Sequence, residues 1–247
     1  MFSKATTEEP AGALPPLNRV PPLAEALSQT MADIHRRGWC EGTGGNFSVV
    51  LQRDPLRLLM APSGVDKGMV QPDQLIQVDE AATVLEGSGK ASAETLLHLR
   101  IVDRCVAGAV LHTHSQSATL LSRWRAPRAP EICGVLELDG YEMLKGLEGI
   151  TTHRTSVRVP VLANDQNIAR LADRAEPALA TAPHGLLVAG HGLYAWGRDL
   201  ATARRHLEIH EFLLEQHWRQ LILEGLIANG RLNPGQGSNS PSEDHHS

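Results

Sequence analysis

The chain has 247 residues, of which 42% are apolar, 21% charged and 4% aromatic, a composition typical of globular rather than disordered or fibrous proteins. Its 23 Lys and Arg against 28 Asp and Glu give a formal net charge of −5, which argues against nucleic acid or an anionic membrane as partners held by bulk electrostatics. No apolar run approaches the roughly 20 residues that span a bilayer, and the first residues lack a charged start followed by an apolar core, so a cytoplasmic protein is expected.

Residues 1–22 carry Pro10, Pro15, Pro16, Pro21 and Pro22 without a sustained apolar period and read as a loose tail; residues 233–247, rich in Gly, Ser, Asn and Pro, read as another. Between them, residues 23–232 show no repeat and no linker, which favours one domain. Leu23, Leu27, Met31 and Ile34 recur at helical spacing, and Gly38 ends that pattern. Short runs at 47–51, 56–60, 75–78 and 83–85, bounded by Gly, Pro and Asp, read as strands with tight connections. Residues 94–106 read as a helix, 109–114 as an apolar strand and 115–124 as a helix. Residues 157–162 read as a strand, 165–174 as a helix, and 185–195 as a strand pair bent at Gly190 and Gly192. Asp199 is an expected N-cap for a final helix to Glu224, with Leu200, Leu207, Leu214 and Leu221 as a seven-residue stripe. This order of strands and helices predicts an α/β layer protein.

Twelve histidines are more than surface decoration requires. In Leu111-His112-Thr113-His114 the two imidazoles end a strand two residues apart, so they project to the same side and can meet at one point. His191, between Gly190 and Gly192, ends a second apolar run and supplies a third candidate. On spacing alone, hydrogen-bonded histidines and a divalent-metal site explain this trio equally well. His206 and His210 share a helix face at i, i+4, but with Arg204, Arg205, Glu208 and Glu211 around them a solvated or subunit-facing surface is expected. His98 stands one turn after Glu94 and would orient that carboxylate or make a local polar contact. His245 and His246 belong to the C-terminal tail. The three cysteines, Cys40, Cys105 and Cys133, form no close-spaced pair and read as reduced thiols. Two glycine-rich loops, Gly42-Thr43-Gly44-Gly45-Asn46 and Ser63-Gly64-Val65-Asp66-Lys67-Gly68, offer backbone N–H groups that suit an anion such as phosphate, although neither has P-loop spacing.

These segments, with Ser92-Ala93-Glu94-Thr95, Gly140-Tyr141-Glu142-Met143-Leu144-Lys145-Gly146 and Pro160-Val161-Leu162-Ala163-Asn164-Asp165, occur in an order that resembles the class II aldolase/adducin family from about residue 23 to residue 228. The resemblance implies a three-layer α/β/α subunit with a mostly antiparallel central sheet, assembled as a homotetramer with sites at subunit boundaries. It implies one Zn2+ per subunit on His112, His114 and His191, and a phosphorylated sugar as substrate. Its phosphate contacts fall on Gly45, Asn46, Ser63, Gly64 and Ser92; Ala93 replaces a second serine, a loss that Lys67 would compensate. Glu94 takes the place of the carboxylate beside zinc in the aldolases, and Glu142 that of the acid/base glutamate of a dehydratase branch. The implied reaction is dehydration of 5-methylthioribulose 1-phosphate. Retro-aldol cleavage of a ketose 1-phosphate is the rival, and a non-catalytic adducin-like assembly module a more distant one, since such heads are expected to lack the metal histidines.

Overall fold

The computed structural model describes residues 20–232. Helix α1 (Val20–Arg36) starts three residues before Leu23, because Pro21 and Pro22 fit a first turn in which no N–H has an intrahelical acceptor. The chain then forms strands β1 (Asn46–Arg53), β2 (Leu56–Met60), β3 (Ile76–Asp79) and β4 (Val84–Glu86), helix α2 (Thr95–Arg104), strand β5 (Ala109–Thr113) and helix α3 (Gln116–Trp124). Strands β6 (Gly134–Asp139) and β7 (Ser156–Leu162), helix α4 (Ile168–Leu179), strands β8 (Gly185–Val188) and β9 (Gly192–Gly197), and helix α5 (Leu200–Ala228) complete it.

Among the described residues the strands form one sheet in the order β4-β3-β2-β1-β5-β9-β8-β7-β6, and only the β7/β8 pair is parallel. Alternation along the strands sends side chains to two separate cores. Phe47, Val49, Leu111, Leu193 and Ala195 pack under Leu27, Met31 and Ile34 of α1, Leu121 of α3, and Leu207 and Leu214 of α5. Val110, Leu186, Val188, Tyr194 and Trp196 pack on the other side, under Leu97, Ile101 and Val102 of α2 and Leu171 and Ala175 of α4. This is the three-layer α/β/α arrangement with a mostly antiparallel sheet that the resemblance implies. Each fully buried Leu or Ile is a position where truncation to Ala costs about 2–5 kcal/mol.

Asp199 caps α5 by accepting from the Thr202 N–H at 2.7 Å, and Leu207 and Leu214 of the predicted stripe are buried, with Leu200 and Leu221 packed at its ends. Helix α4 begins at Ile168 rather than Asp165, because Asn167 caps the Arg170 N–H at 3.0 Å while Asp165 is held by Arg170 and Arg174. Strand β6 is absent from the sequence reading. Its period is present, with Leu136 and Leu138 buried and Glu137 and Asp139 exposed, but only six residues carry it, on the outer edge of the sheet. No helix among the described residues is long and apolar enough to cross a membrane.

Candidate metal centre

The register of the central strands assembles the site. Asn46 of β1 lies opposite His112 of β5, and His112 lies opposite Tyr194 of β9. His112 therefore projects to the α2 side of the sheet with Asn46, Ser48 and Tyr194, and His114 follows just beyond the strand end. The turn from β8 to β9 carries His191 to the same edge, and the start of α2 lays Glu94 over it. Ligand atoms of Glu94, His112, His114 and His191 all fall within 4.8 Å of one another.

The Nε2 atoms of His114 and His112 are 2.8 Å apart, and those of His112 and His191 are 3.4 Å apart. Glu94 Oε1 lies 3.0 Å from His191 Nε2, and Glu94 Oε2 lies 3.8 Å from His112 Nε2. Three imidazoles and one carboxylate converging in this way are the donor set of a borderline divalent ion such as zinc, so the residues fit the metal that the resemblance implies. Burial pulls the basicity of His112 well below its ordinary value, and burial and the neighbouring His191 do the same for His114; neutral imidazoles are the ligating form. Burial works against ionising Glu94, and the contact with His191 is the largest effect opposing it; the balance holds its carboxyl down at about 2.

Surrounding groups fix the cluster. His112 Nδ1 donates to the Leu193 carbonyl at 2.9 Å, and its ring stacks on Tyr194 with centroids 3.8 Å apart. The His114 N–H donates to the Trp39 carbonyl at 2.7 Å. Asn46 donates to Glu94 Oε2. His98 does not hold Glu94: it is fully buried, its Nδ1 sits 2.8 Å from Ser48 Oγ, and burial lowers its pKa to about 4. Leu193, Trp39 and Tyr194 escape sequence reasoning, because two act through backbone carbonyls and the third only through its register opposite His112.

The two glycine loops meet at this edge. Gly45 adopts φ +80°, and a Cβ there would stand 2.8 Å from the His112 carbonyl oxygen, so only glycine lets the loop pass so close to β5. Lys67 stands where the two loops meet. It is 1% exposed, and its ammonium donates to the carbonyls of Thr43 at 3.0 Å and Val65 at 2.9 Å, tying one loop to the other. Burial lowers its pKa, while Glu94 and Asp66 oppose that. Ser63 and Gly64 are exposed on the second loop, and Ser92 Oγ accepts the Glu94 N–H at 3.3 Å.

Glu142 is not brought to His112, His114 and His191 of its own chain. It opens a short 3-10 turn, Glu142–Gly146, with its side chain 66% exposed and paired with Lys145 and, at 3.5 Å, with His153. The expectation of a solvated or subunit-facing surface for His206 and His210 is corrected: both are fully buried, because they lie on the side of α5 that packs on the sheet while Arg204 and Glu208 point away from it.

An α/β/α layer protein with three histidines and a glutamate gathered at one sheet edge belongs to a class built around a divalent cation. Residues 25–218 match the family description "Class II Aldolase and Adducin N-terminal domain", and the chain belongs to that family. It is 44% identical over 207 residues to a methylthioribulose-1-phosphate dehydratase of Pseudomonas aeruginosa, covering 81% of this chain and 97% of that protein. To a protein of the same name from Serratia proteamaculans it is 45% identical over 203 residues, covering 81% and 96%. Among solved structures, an L-fuculose-1-phosphate aldolase from Thermus thermophilus superposes with a TM-score of 0.60 at 25% identity, covering 86% of this chain and 98% of that one. Another L-fuculose 1-phosphate aldolase does so with a TM-score of 0.66 at 22% identity, covering 82% and 87%; at that identity the likeness shows the fold.

Proposed function

We propose that this chain dehydrates 5-methylthioribulose 1-phosphate to 2,3-diketo-5-methylthiopentyl 1-phosphate, a step of methionine salvage, as a cytoplasmic homotetramer with one catalytic Zn2+ per subunit. The observation that carries the reading is the intact His112, His114, His191 and Glu94 cluster in a chain 44% identical to relatives named for that dehydration. A non-catalytic assembly role leaves this cluster without a purpose.

His112, His114 and His191 would hold the ion. When bound, it supplies Lewis-acid stabilisation of the negative charge that builds on the substrate's C2 oxygen as the C3 proton leaves. The chain's own groups do the rest. Backbone N–H groups at Gly45, Asn46 and Gly64, with Ser63, Ser92 and the ammonium of Lys67, bind the phosphate and so fix the register of the sugar. A net charge of −5 does not oppose this, because the groups that meet the phosphate are local donors. Glu94 lies beside His191 and Asn46, where it would orient the substrate. The shuttle that takes the C3 proton and protonates the departing C4 hydroxyl is assigned to Glu142. Exposed on its own subunit, Glu142 would serve the centre of a neighbouring one.

Incubation with 5-methylthioribulose 1-phosphate tests this. The expected product is the diketone phosphate with release of water. Formation of dihydroxyacetone phosphate would instead establish retro-aldol cleavage, the reaction that the aldolase-like fold also accommodates.

A further inference from the structure

A second group of ligand atoms lies at the far end of β8 from His191. Glu148, His184 and His206 come from three separate segments, after the 3-10 turn, before β8 and within α5, and their ligand atoms all lie within 4.8 Å of one another. From the convergence of these three side chains we infer that they form a second divalent-metal site, distinct from the candidate catalytic centre, which takes a borderline ion of the zinc or cobalt type and ties the three segments together.

The tautomer of His206 is fixed by its surroundings. Its Nδ1 is 2.7 Å from the Trp196 carbonyl, which only accepts, so Nδ1 carries the proton and Nε2 offers a lone pair. A backbone carbonyl on the far nitrogen is the usual support of a metal-bound imidazole. The only protein donor to that lone pair among the described residues is the Glu148 N–H, at a long 3.3 Å, a contact that an ion would replace. The His184 ring is stacked on that of His206, with centroids 4.3 Å and planes 25° apart, so ion binding requires the partly exposed His184 ring to turn out of the stack and bring its lone pair to the same point. Burial lowers the basicity of both, which leaves neutral imidazoles available as ligands.

The segment that presents His184 is held in place. His184 has φ +59°, a left-handed conformation that is uncommon for a side chain other than Gly, Asn or Asp. Next to it, His210 Nε2 bonds the Pro183 carbonyl at 3.0 Å, and a Cβ at Gly185 would stand 2.4 Å from that same nitrogen. Glu148 Oε1 is engaged by Arg198 at 3.1 Å, so Oε2 is the oxygen for the ion. Two imidazoles and one carboxylate suit a borderline ion better than Mg2+ or Ca2+, and a water completes four-coordination.

The test is metal stoichiometry on the full-length protein, stripped with chelator, titrated with Co2+ and followed by its visible absorption, with elemental analysis of Zn2+ after desalting. The wild type is expected to hold two equivalents per chain, and His112→Ala/His114→Ala one. Adding His184→Asn, which suits the left-handed backbone, or Glu148→Gln at an exposed position, should remove that remaining equivalent. His184→Asn alone should leave the first equivalent and its spectrum unchanged. The inference is overturned if His112→Ala/His114→Ala holds no metal. It is equally overturned if the second equivalent survives both His184→Asn and Glu148→Gln, since the ion would then sit elsewhere, for instance on His245 and His246. The readout is independent of turnover, so failure of the dehydratase assay leaves it intact.

Discussion

His112 donates its Nδ1 proton to the carbonyl of Leu193 at 2.9 Å, and that bond decides what the opposite nitrogen can do. With Nδ1 protonated, Nε2 carries a lone pair, and it faces the Nε2 atoms of His114 and His191 and the carboxylate of Glu94. The donor is a side chain on β5 and the acceptor is backbone of β9, so pairing of the two strands sets the tautomer. The sheet thus sets the arrangement of the candidate metal ligands.

Replacing His112 by Ala removes a ligand and the ring stacked on Tyr194. Metal content after desalting is expected to fall below about a tenth of an equivalent at the His112 centre, and kcat/KM to fall by more than about a hundredfold, because losing a ligand exceeds the 10–100-fold cost of losing its outer support. Full activity in a metal-free His112→Ala protein would remove the cation from the mechanism.

Much of this centre is legible in the sequence because a strand has period two: His112 and His114 must share a side, and an apolar run ending in Gly190-His191-Gly192 must end at a sheet edge. The seven-residue stripe of α5 is legible for the same kind of reason. Other features depend on partners far away in the chain. The polar neighbours of His206 and His210 suggest solvent, yet Arg204, Arg205 and Glu208 lie on the outer side of α5 while Glu211 is buried with the histidines, and only the docking of that helix on the sheet buries them. That Lys67 also ties the two loops together is visible only once the Thr43 and Val65 carbonyls close around its ammonium. The edge strand β6 is short enough that its alternation stands out only once β7 pairs with it.

Glu142 is separated from His112, His114 and His191 of its own chain, and subunit mixing tests whether it serves a neighbour. Glu142→Gln alone should lower kcat by about 10²–10⁴-fold with metal content unchanged. Glu142→Gln and His112→Ala oligomers, each inactive, should regain about a quarter of wild-type activity when dissociated and reassembled together, since a quarter of randomly formed boundaries pair two intact halves. No recovery in a verified mixed oligomer would show that the two residues act within one chain, or that Glu142 has no part in the reaction.

Gly45 is where a single methyl group should disturb both fold and site. At φ +80°, an alanine Cβ would meet the His112 carbonyl at 2.8 Å and the Cys40 Cβ at 3.1 Å, and backbone cannot yield as a flexible side chain can. Gly45→Ala should cost about 2 kcal/mol, lowering Tm by about 4–8 °C, and should weaken metal binding because the displaced strand end carries His112. An unchanged Tm with unchanged metal affinity would show that the loop relaxes freely.

Glu211 makes the stability of the protein depend on pH near neutrality. It lies beneath Thr113, on the opposite side of β5 from the histidines, accepts from the Thr113 hydroxyl, and leaves its buried Oε2 without a protein partner. Burial pushes its carboxyl up to about 7 from 4.5, although hydrogen bonds from Ser115 and Thr113 oppose the shift. Between those two values the folded protein keeps a proton that the unfolded chain has lost. Its contribution to stability therefore falls as pH rises through this window, with a slope of at most about 1.4 kcal/mol per pH unit, and is flat below 4.5 and above about 7. The carboxylates with lowered pKa, Asp33, Glu94, Glu142, Asp165 and Asp199, act with the opposite sign only below the ordinary carboxylate range. The histidines that burial keeps neutral, such as His98 and His210 at about 4, act with the opposite sign inside this window, so the Glu211 contribution is read as a difference from a variant that shares those histidines. Glu211→Gln keeps the shape and an acceptor for Thr113 without a titrating group. Urea midpoints at pH 5, 6, 7 and 8 should decline for the wild type relative to Glu211→Gln up to about pH 7 and then run parallel; parallel curves across the whole range would show that Glu211 does not hold its proton in the folded state.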